Sequence, residues 1–216
     1  MPATPPRLVI FDFDGTLADS FPWFRTALAR LIRRHGLRPV APEEVEGLRR
    51  LGTREILREL RVPPWKLPAL TRDMRALKAE AAGEIPLFPG VPEMLRGLAA
   101  GGTRIAIASS DSEASIRRTL GEAIVPVGPI AAGASLFGKA ARLRQVLRAA
   151  GVSAPAALYI GDETRDAEAA ARVGMDFAAV TWGYAAPEAL LARRPRYVFA
   201  TPADVLRRLG RGGAPG

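Results

Sequence analysis

The sequence contains no cysteine, a single histidine, His35, and only three lysines, Lys66, Lys78 and Lys139, among 31 basic residues. Without thiols, the chain has no disulfides, cysteine nucleophiles or thiolate-held metals, so a metal would be held by carboxylates, backbone oxygens or that one histidine. No apolar run approaches the ~20 residues that span a bilayer. The Pro-rich start Met1–Pro6 leads only into Leu8–Phe11 before Asp12 interrupts. Neither a signal peptide nor a membrane anchor is expected, and a cytoplasmic location is. Aromatic residues are 6% of the chain and do not interleave with the basic ones as on nucleic-acid platforms, so no specific nucleic-acid partner is expected. The sequence shows no internal repeats.

What is present is a globular composition. The 216 residues are 48% hydrophobic and 25% charged, enough for one large domain or a domain carrying a smaller insertion. The net charge of +9 is carried almost entirely by arginine, an excess that reads first as codon composition. Its distribution is uneven. Residues 20–85 hold 14 basic and 8 acidic residues, and a basic segment of this kind draws anionic substrates.

Arg7–Phe11 is a continuous apolar run that reads as a buried strand. Phe24, Leu28, Leu31 and Ile32 recur at helical spacing from Phe21 to His35, and Gly36 ends the pattern. Further helices are expected at 42–50, 53–61 and 65–82, so 20–85 reads as all-helical. Ile85–Pro92 reads as a linker. Beyond it the pattern alternates: strands at Thr103–Ala108, Ile124–Val127, Ala156–Ile160 and Phe177–Thr181, helices at Ser112–Leu120, Lys139–Ala150 and Asp166–Val173. Such alternation implies an α/β fold with a parallel sheet covered by helices on both faces. The tail Gly210–Gly216 reads as disordered.

In an open parallel sheet, ligands collect at the carboxyl ends of the strands, so polar residues that terminate apolar runs are the first candidates. Asp12-Phe13-Asp14-Gly15-Thr16 places two carboxylates two residues apart at a strand end, able to share a metal or to divide nucleophilic and acid–base work. A D-x-D-G-T match arises by chance on the order of once in 500 chains of this size. A capping Asp with a turn glycine accounts for one carboxylate but not for both. Gly161-Asp162-Glu163-Thr164-Arg165-Asp166 follows another apolar run, with Asp162 and Asp166 four apart. Oxygen ligands without thiol or imidazole favour Mg²⁺, although a helix cap explains either Asp alone. Ser109-Ser110-Asp111 offers hydroxyls and amides to a phosphate oxygen, or simply caps a helix. Lys139 stands in a near match to the nucleotide-binding G-x-x-x-x-G-K-[ST] loop, but Ala140 lacks the hydroxyl that holds Mg²⁺ there. It reads best as a lysine that neutralises phosphate and Asp charge, with a solvated surface lysine as the bland alternative. His35 reads as a surface or packing residue.

With these motifs in this order, the sequence resembles a haloacid dehalogenase superfamily hydrolase of the phosphoglycolate phosphatase-like group, over about residues 7–206. Val9–Ser20, Ser109, Lys139 and Gly161–Asp166 match its four motifs in turn, and Leu87–Leu95 and Val180–Tyr184 resemble family segments. The resemblance implies a Rossmann-like catalytic core at 1–19 and 86–216, with a helical cap domain inserted at 20–85. It implies a Mg²⁺-dependent phosphatase that hydrolyses a small phosphomonoester, phosphoglycolate-like, through an aspartyl-phosphate. Asp12 would be the nucleophile and Asp14 the acid and base. Asp12, the Asp14 backbone carbonyl and Asp162 would hold Mg²⁺, with Thr16, Glu163 and Asp166 supporting, and Ser109, Ser110 and Lys139 would bind the phosphoryl group. Two positions depart from the common pattern, Ser-Ser-Asp at the second motif and Ala140 after Lys139, and neither removes a functional group. The partner implied is a small anionic phosphoester, with no membrane partner and with oligomeric state open. A sugar phosphomutase, or a basic binding or regulatory protein on the same fold, is the alternative, and retention of Asp12, Asp14, Lys139 and Asp162 speaks against the latter. Arg49, Arg50 and Arg54 stand as candidate anion contacts or ordinary exposed helix residues.

Overall fold

The computed structural model describes residues 5–81, 83–124, 127–133 and 138–210. Six parallel strands form one sheet: β1 (Leu8–Phe11), β2 (Arg104–Ala108), β3 (Val127–Ala131), β4 (Ala157–Gly161), β5 (Asp176–Val180) and β6 (Tyr197–Phe199), in the order β3-β2-β1-β4-β5-β6. Val9 pairs with Ile105 on one side and Leu158 on the other, so β1 lies between β2 and β4. The chain winds outward from β1 through β2 to β3, then returns to β4 and winds the other way. Strand order therefore reverses beside β1, the kind of point where a doubly wound sheet binds its ligand.

Side chains alternate across each strand and feed two apolar layers. Val9, Phe11, Ile105, Ile107 and Ile160 pack with α5 (Val91–Ala100), α6 (Glu113–Leu120) and α10 (Pro202–Leu209). On the other face, Leu8, Ile10, Tyr159 and Ala179 pack with α7 (Lys139–Ala150), α8 (Thr164–Val173) and α9 (Pro187–Leu191). The α/β layering with a parallel sheet is thus as the alternating pattern indicates.

Between β1 and α5 the chain forms α1 (Phe21–His35), α2 (Val45–Arg49), α3 (Thr53–Glu59) and α4 (Leu67–Glu80), and this segment adds no strand to the sheet. α1 is tied to α4 by His35 Nε2, 2.9 Å from Asp73 Oδ2, and to the 3₁₀ turn before α4 by the Lys66 ammonium, which donates to the His35 carbonyl at 2.6 Å. His35 is thus a packing residue held by a carboxylate. The two chain crossings between this segment and the sheet are hydrogen-bonded to each other: Asp19 N donates to Pro86 O and Phe88 N to Leu17 O, both at 2.9 Å.

Several elements differ from the sequence expectation. The strand expected at Ile124–Val127 lies at Val127–Ala131, and Gly121–Ile124 is a 3₁₀ turn. Gly128 and Pro129 lie within β3, an edge strand, where proline is tolerated. Part of the linker expected at Ile85–Pro92 is helix, because Val91 opens α5 with a proline in its first turn. Helix α9, strand β6 and helix α10 carry no expectation at all, although Thr201 and Asp204 form a capping box at the start of α10. The helices expected at 42–50 and 65–82 each open with a 3₁₀ turn. The tail expected to be disordered lies, from residue 211, outside the described residues, as do 134–137 of the near-match loop.

Candidate active site

Asp12, Ser109 and Asp162 each follow directly on a strand, β1, β2 and β4, and these strands are adjacent. Their loops therefore emerge side by side. Asp12 N donates to Ile160 O at 2.8 Å and keeps the chain in register one residue past β1. The next residues fold tightly, with Leu17 N and Ala18 N both donating to Phe13 O at 2.9 Å while Phe13 is fully buried. That turn separates the two carboxylates. Asp12 is 3% exposed, whereas the Asp14 side chain is 25% exposed.

Each carboxylate has its own ammonium. Lys139, the first residue of α7 and 4% exposed, donates to Asp12 Oδ2 at 2.6 Å and also to Asp166 Oδ1. This excludes the surface-lysine reading. Asp166 accepts further from the Tyr159 hydroxyl at 3.2 Å and from Glu163 N at 2.9 Å. Asp14 Oδ1 pairs instead with Lys78, from α4. Asp162 is fully buried, and its oxygens accept from the Thr16 hydroxyl at 2.8 Å and from Tyr184 N at 2.7 Å.

Asp12, Asp162 and Asp166 bring one carboxylate oxygen each to within 4.8 Å of one another. Burial pushes the Asp12 carboxyl up to about 6, with Lys139 opposing and Asp166 adding to the rise. Burial raises Asp162 as well, reinforced by the charges of Glu163, Asp166 and Asp12. Lys139 is held above the ordinary lysine range: burial works against its charge, but Asp12 and Asp166 outweigh it. Three crowded buried carboxylates, all hard oxygen donors, suit a divalent cation such as Mg²⁺. Glu163 takes no part in this cluster, its carboxylate pairing with Arg165 at 2.7 Å. Ser109 is 1% exposed, its hydroxyl accepting from Asp111 N at 3.1 Å, and Ser110 is half-buried beside it.

Three glycines leave room for these side chains. At Gly15, with φ of +77°, a Cβ would collide with the Asp162 carboxylate and lie 2.7 Å from the Tyr184 ring. At Gly183 it would overlap Asp162 and the Gly15 carbonyl, a backbone atom that has nowhere to swing. At Gly161 it would meet the Asp166 side chain. Gly183→Ala is therefore expected to lower the melting temperature by roughly 3–10 °C, the cost of overpacking a tight site in a protein this size. Thermal melts of the two proteins check this, and an unchanged Tm would show that the loop relaxes freely.

Residues that the sequence pattern did not bring forward complete the surroundings. Trp182 Nε1 donates to Thr16 O at 3.1 Å, and Tyr184 OH meets Ser20 Oγ at 2.9 Å with the rings of Phe21 and Phe24 at 5.1 and 5.5 Å. Arg49, expected as an anion contact or an exposed helix residue, is partly buried: its guanidinium donates to Tyr184 O at 2.8 Å and Gly183 O at 3.1 Å and pairs with the Glu46 carboxylate at 2.9 Å. Arg50 and Arg54 are exposed.

Comparison with known proteins agrees with this geometry. The family model of haloacid dehalogenase-like hydrolases matches residues 9–180. A phosphoglycolate phosphatase of Synechococcus elongatus is 33% identical over 205 residues, spanning 93% of this chain and 96% of that protein. A haloacid dehalogenase-like family hydrolase from Streptococcus pneumoniae superposes with a TM-score of 0.78 at 22% identity, over 94% of this chain and 98% of that one, a likeness of fold. The structure of CbbY from Rhodobacter sphaeroides in complex with phosphate superposes with a TM-score of 0.67 at 27% identity, over 93% and 96% of the two chains. No helix among the described residues is long and apolar enough to cross a membrane.

Proposed function

The chain belongs to the haloacid dehalogenase-like hydrolases, in their phosphoglycolate phosphatase-like group, and from that membership we propose that it is a Mg²⁺-dependent phosphatase acting on a small phosphomonoester through an aspartyl-phosphate on Asp12. That it hydrolyses phosphoric monoesters follows from the family and its relatives. The metal, the intermediate and the residue roles are our reading. One observation carries it: two carboxylates two residues apart have opposite environments, Asp12 buried against Lys139 and Asp14 partly open beside Lys78.

In this reading an Asp12 carboxylate oxygen attacks phosphorus and the ester bond breaks. Asp14 protonates the departing oxygen. Asp14 then takes a proton from water as that water attacks the phosphorus of the acyl phosphate, returning Asp12 and inorganic phosphate. Lys139 and the Ser109 and Ser110 groups at the end of β2 stabilise charge on the transferring phosphoryl oxygens, the main demand of such a reaction. Asp12, the Asp14 carbonyl and Asp162 would hold Mg²⁺, with Asp166 and Thr16 bracing them, while the Glu163 carboxylate, expected to support the site, is engaged by Arg165. When bound, the cation supplies charge neutralisation at the phosphoryl group and at the crowded carboxylates. We take 1–19 and 86–216 as the catalytic core and 20–85 as a helical cap that closes over it and selects the substrate.

The test is phosphate release from a panel of small phosphomonoesters, phosphoglycolate among them, with Mg²⁺ and after chelation. Release that depends on Mg²⁺ is expected. Conversion of a sugar phosphate to its isomer without free phosphate would establish a mutase instead, and no turnover of any ester would reject the reading.

A further inference from the structure

Asp162 is bonded from a loop, 181–186 between β5 and α9, that holds no regular structure of its own. Tyr184 N donates to Asp162 Oδ2 at 2.7 Å, and Ala185 N donates to the Asp162 carbonyl at 3.3 Å. Part of what fixes this loop comes from the helical segment. Arg49, at the end of α2, sends Nε to Tyr184 O at 2.8 Å and Nη2 to Gly183 O at 3.1 Å, and its own carbonyl accepts from Ala186 N at 2.8 Å. Glu46, 2.9 Å from Nη1, and the Phe21 ring, its centre 5.5 Å from the guanidinium carbon, hold the side chain in that pose.

Two of these contacts fall on one peptide unit. The Gly183 carbonyl and the Tyr184 N–H belong to the same planar trans peptide and point opposite ways. Arg49 on the oxygen therefore aims the N–H at Asp162. Gly183 lets the unit lie this close, because a Cβ there would overlap Asp162. A cationic donor on the carbonyl also polarises the peptide and strengthens its N–H as a donor. On the far side the Thr16 hydroxyl donates to Asp162 Oδ1, so each carboxylate oxygen has one donor and keeps a lone pair for a cation. Resting on the Mg²⁺ site of the proposed function, we infer that Arg49 is a positioning residue for that site: through the Gly183–Tyr184 peptide it sets the orientation of the Asp162 carboxylate, and hence the affinity for Mg²⁺. The planar fork suits the task, since it reaches two successive carbonyls that a single ammonium cannot span.

The experiment is calorimetric titration of Mg²⁺ into the full-length protein without substrate, for the wild type, Arg49→Met, Arg49→Lys and Arg50→Met, each with a thermal melt. The sign of the change separates positioning from charge. If Coulomb forces alone acted, removing a cation near the site would relieve repulsion and tighten Mg²⁺ binding. Arg49→Met should instead weaken it by roughly 10- to 100-fold, the range for outer partners of metal ligands. Arg50→Met removes the same charge from an exposed neighbour and should bind Mg²⁺ as the wild type does or slightly more tightly. Arg49→Lys keeps the charge and one donor, should lose less than the methionine variant, and carries the test if that variant does not fold. Unchanged or tighter binding in a folded Arg49→Met, even with a lowered Tm, would overturn the inference by showing that Arg49 only fastens α2 to the core. Wild-type affinity in Arg49→Lys would do the same where methionine does not fold, and so would an equal loss in Arg50→Met. A wild type that binds no Mg²⁺ removes the metal reading and the inference with it. One that binds Mg²⁺ yet hydrolyses no ester removes the phosphatase reading alone.

Discussion

Asp12→Asn is expected to reduce phosphate release by roughly 10⁴-fold or more, as loss of a covalent nucleophile does, while Asp14→Asn retains a measurable first step. The two side chains are chemically alike and two residues apart, so only their surroundings can make them fail differently. Asparagine at 12 keeps the shape of the side chain but offers no carboxylate oxygen to phosphorus, and it leaves Lys139 paired with Asp166 alone. Asparagine at 14 cannot give or take a proton, which slows turnover of an ordinary ester by roughly 10²- to 10⁴-fold. An ester with a good leaving group needs little protonation. With 4-nitrophenyl phosphate, Asp14→Asn should therefore complete transfer to Asp12 and stall before hydrolysis, which also requires Asp14. Intact-protein mass after brief mixing with substrate and Mg²⁺ decides the matter. A phosphate adduct on Asp14→Asn and none on Asp12→Asn is expected, and an adduct on Asp12→Asn would reverse the assignment.

The residues at strand ends were legible because each interrupts an apolar run with a polar side chain, and a parallel sheet turns that interruption into a place. Asp12, Ser109 and Asp162 were nominated on this ground, and they stand at the ends of three adjacent strands. Lys78 was not. Its periodicity assigns it to a helix but says nothing about what that helix faces, and its partner Asp14 is 64 residues away. A signal was nonetheless present in the composition. In a chain that otherwise uses arginine, two of three lysines, Lys78 and Lys139, are buried against carboxylates, and the third, Lys66, donates to the His35 carbonyl. A compact ammonium fits where a planar guanidinium does not, so a rare lysine marked a position where size mattered. Arg49 was weighed only as an anion contact or an exposed residue, because its role is to hold the backbone of a loop more than 130 residues later in the chain, which no local pattern encodes. The short elements near the end, α9 and β6, are five and three residues long, too brief to show a period.

Lys139→Ala is expected to lower turnover by roughly 10³-fold or more, since removal of one preorganised donor to a developing anion already costs about 10²–10³ and this donor carries a full charge. The same substitution carries a stability cost that must be separated from the catalytic one. Lys139 sits buried between Asp12 and Asp166, with the Tyr159 ring 5.9 Å away. Without it, the buried carboxylates of Asp12 and Asp166 lose their directly bonded ammonium, and removing one partner of a buried pair costs about 3–5 kcal/mol. That translates into a fall in Tm of roughly 6–20 °C. A divalent cation acts against this fall, because it replaces the lost positive charge among the same oxygens. Thermal melts with and without Mg²⁺ should accordingly show a larger Mg²⁺-induced rise for Lys139→Ala than for the wild type, while phosphate release, measured well below the variant's Tm, stays low. A folded variant with near wild-type turnover would reduce Lys139 to a structural pair. A Tm that Mg²⁺ raises equally in both proteins would show that the cation does not share the carboxylates with this lysine. The near-match nucleotide loop makes a different forecast, tight Mg·ATP binding lost in the variant, whereas a lysine committed to Asp12 and Asp166 gives ATP no privileged hold on either protein.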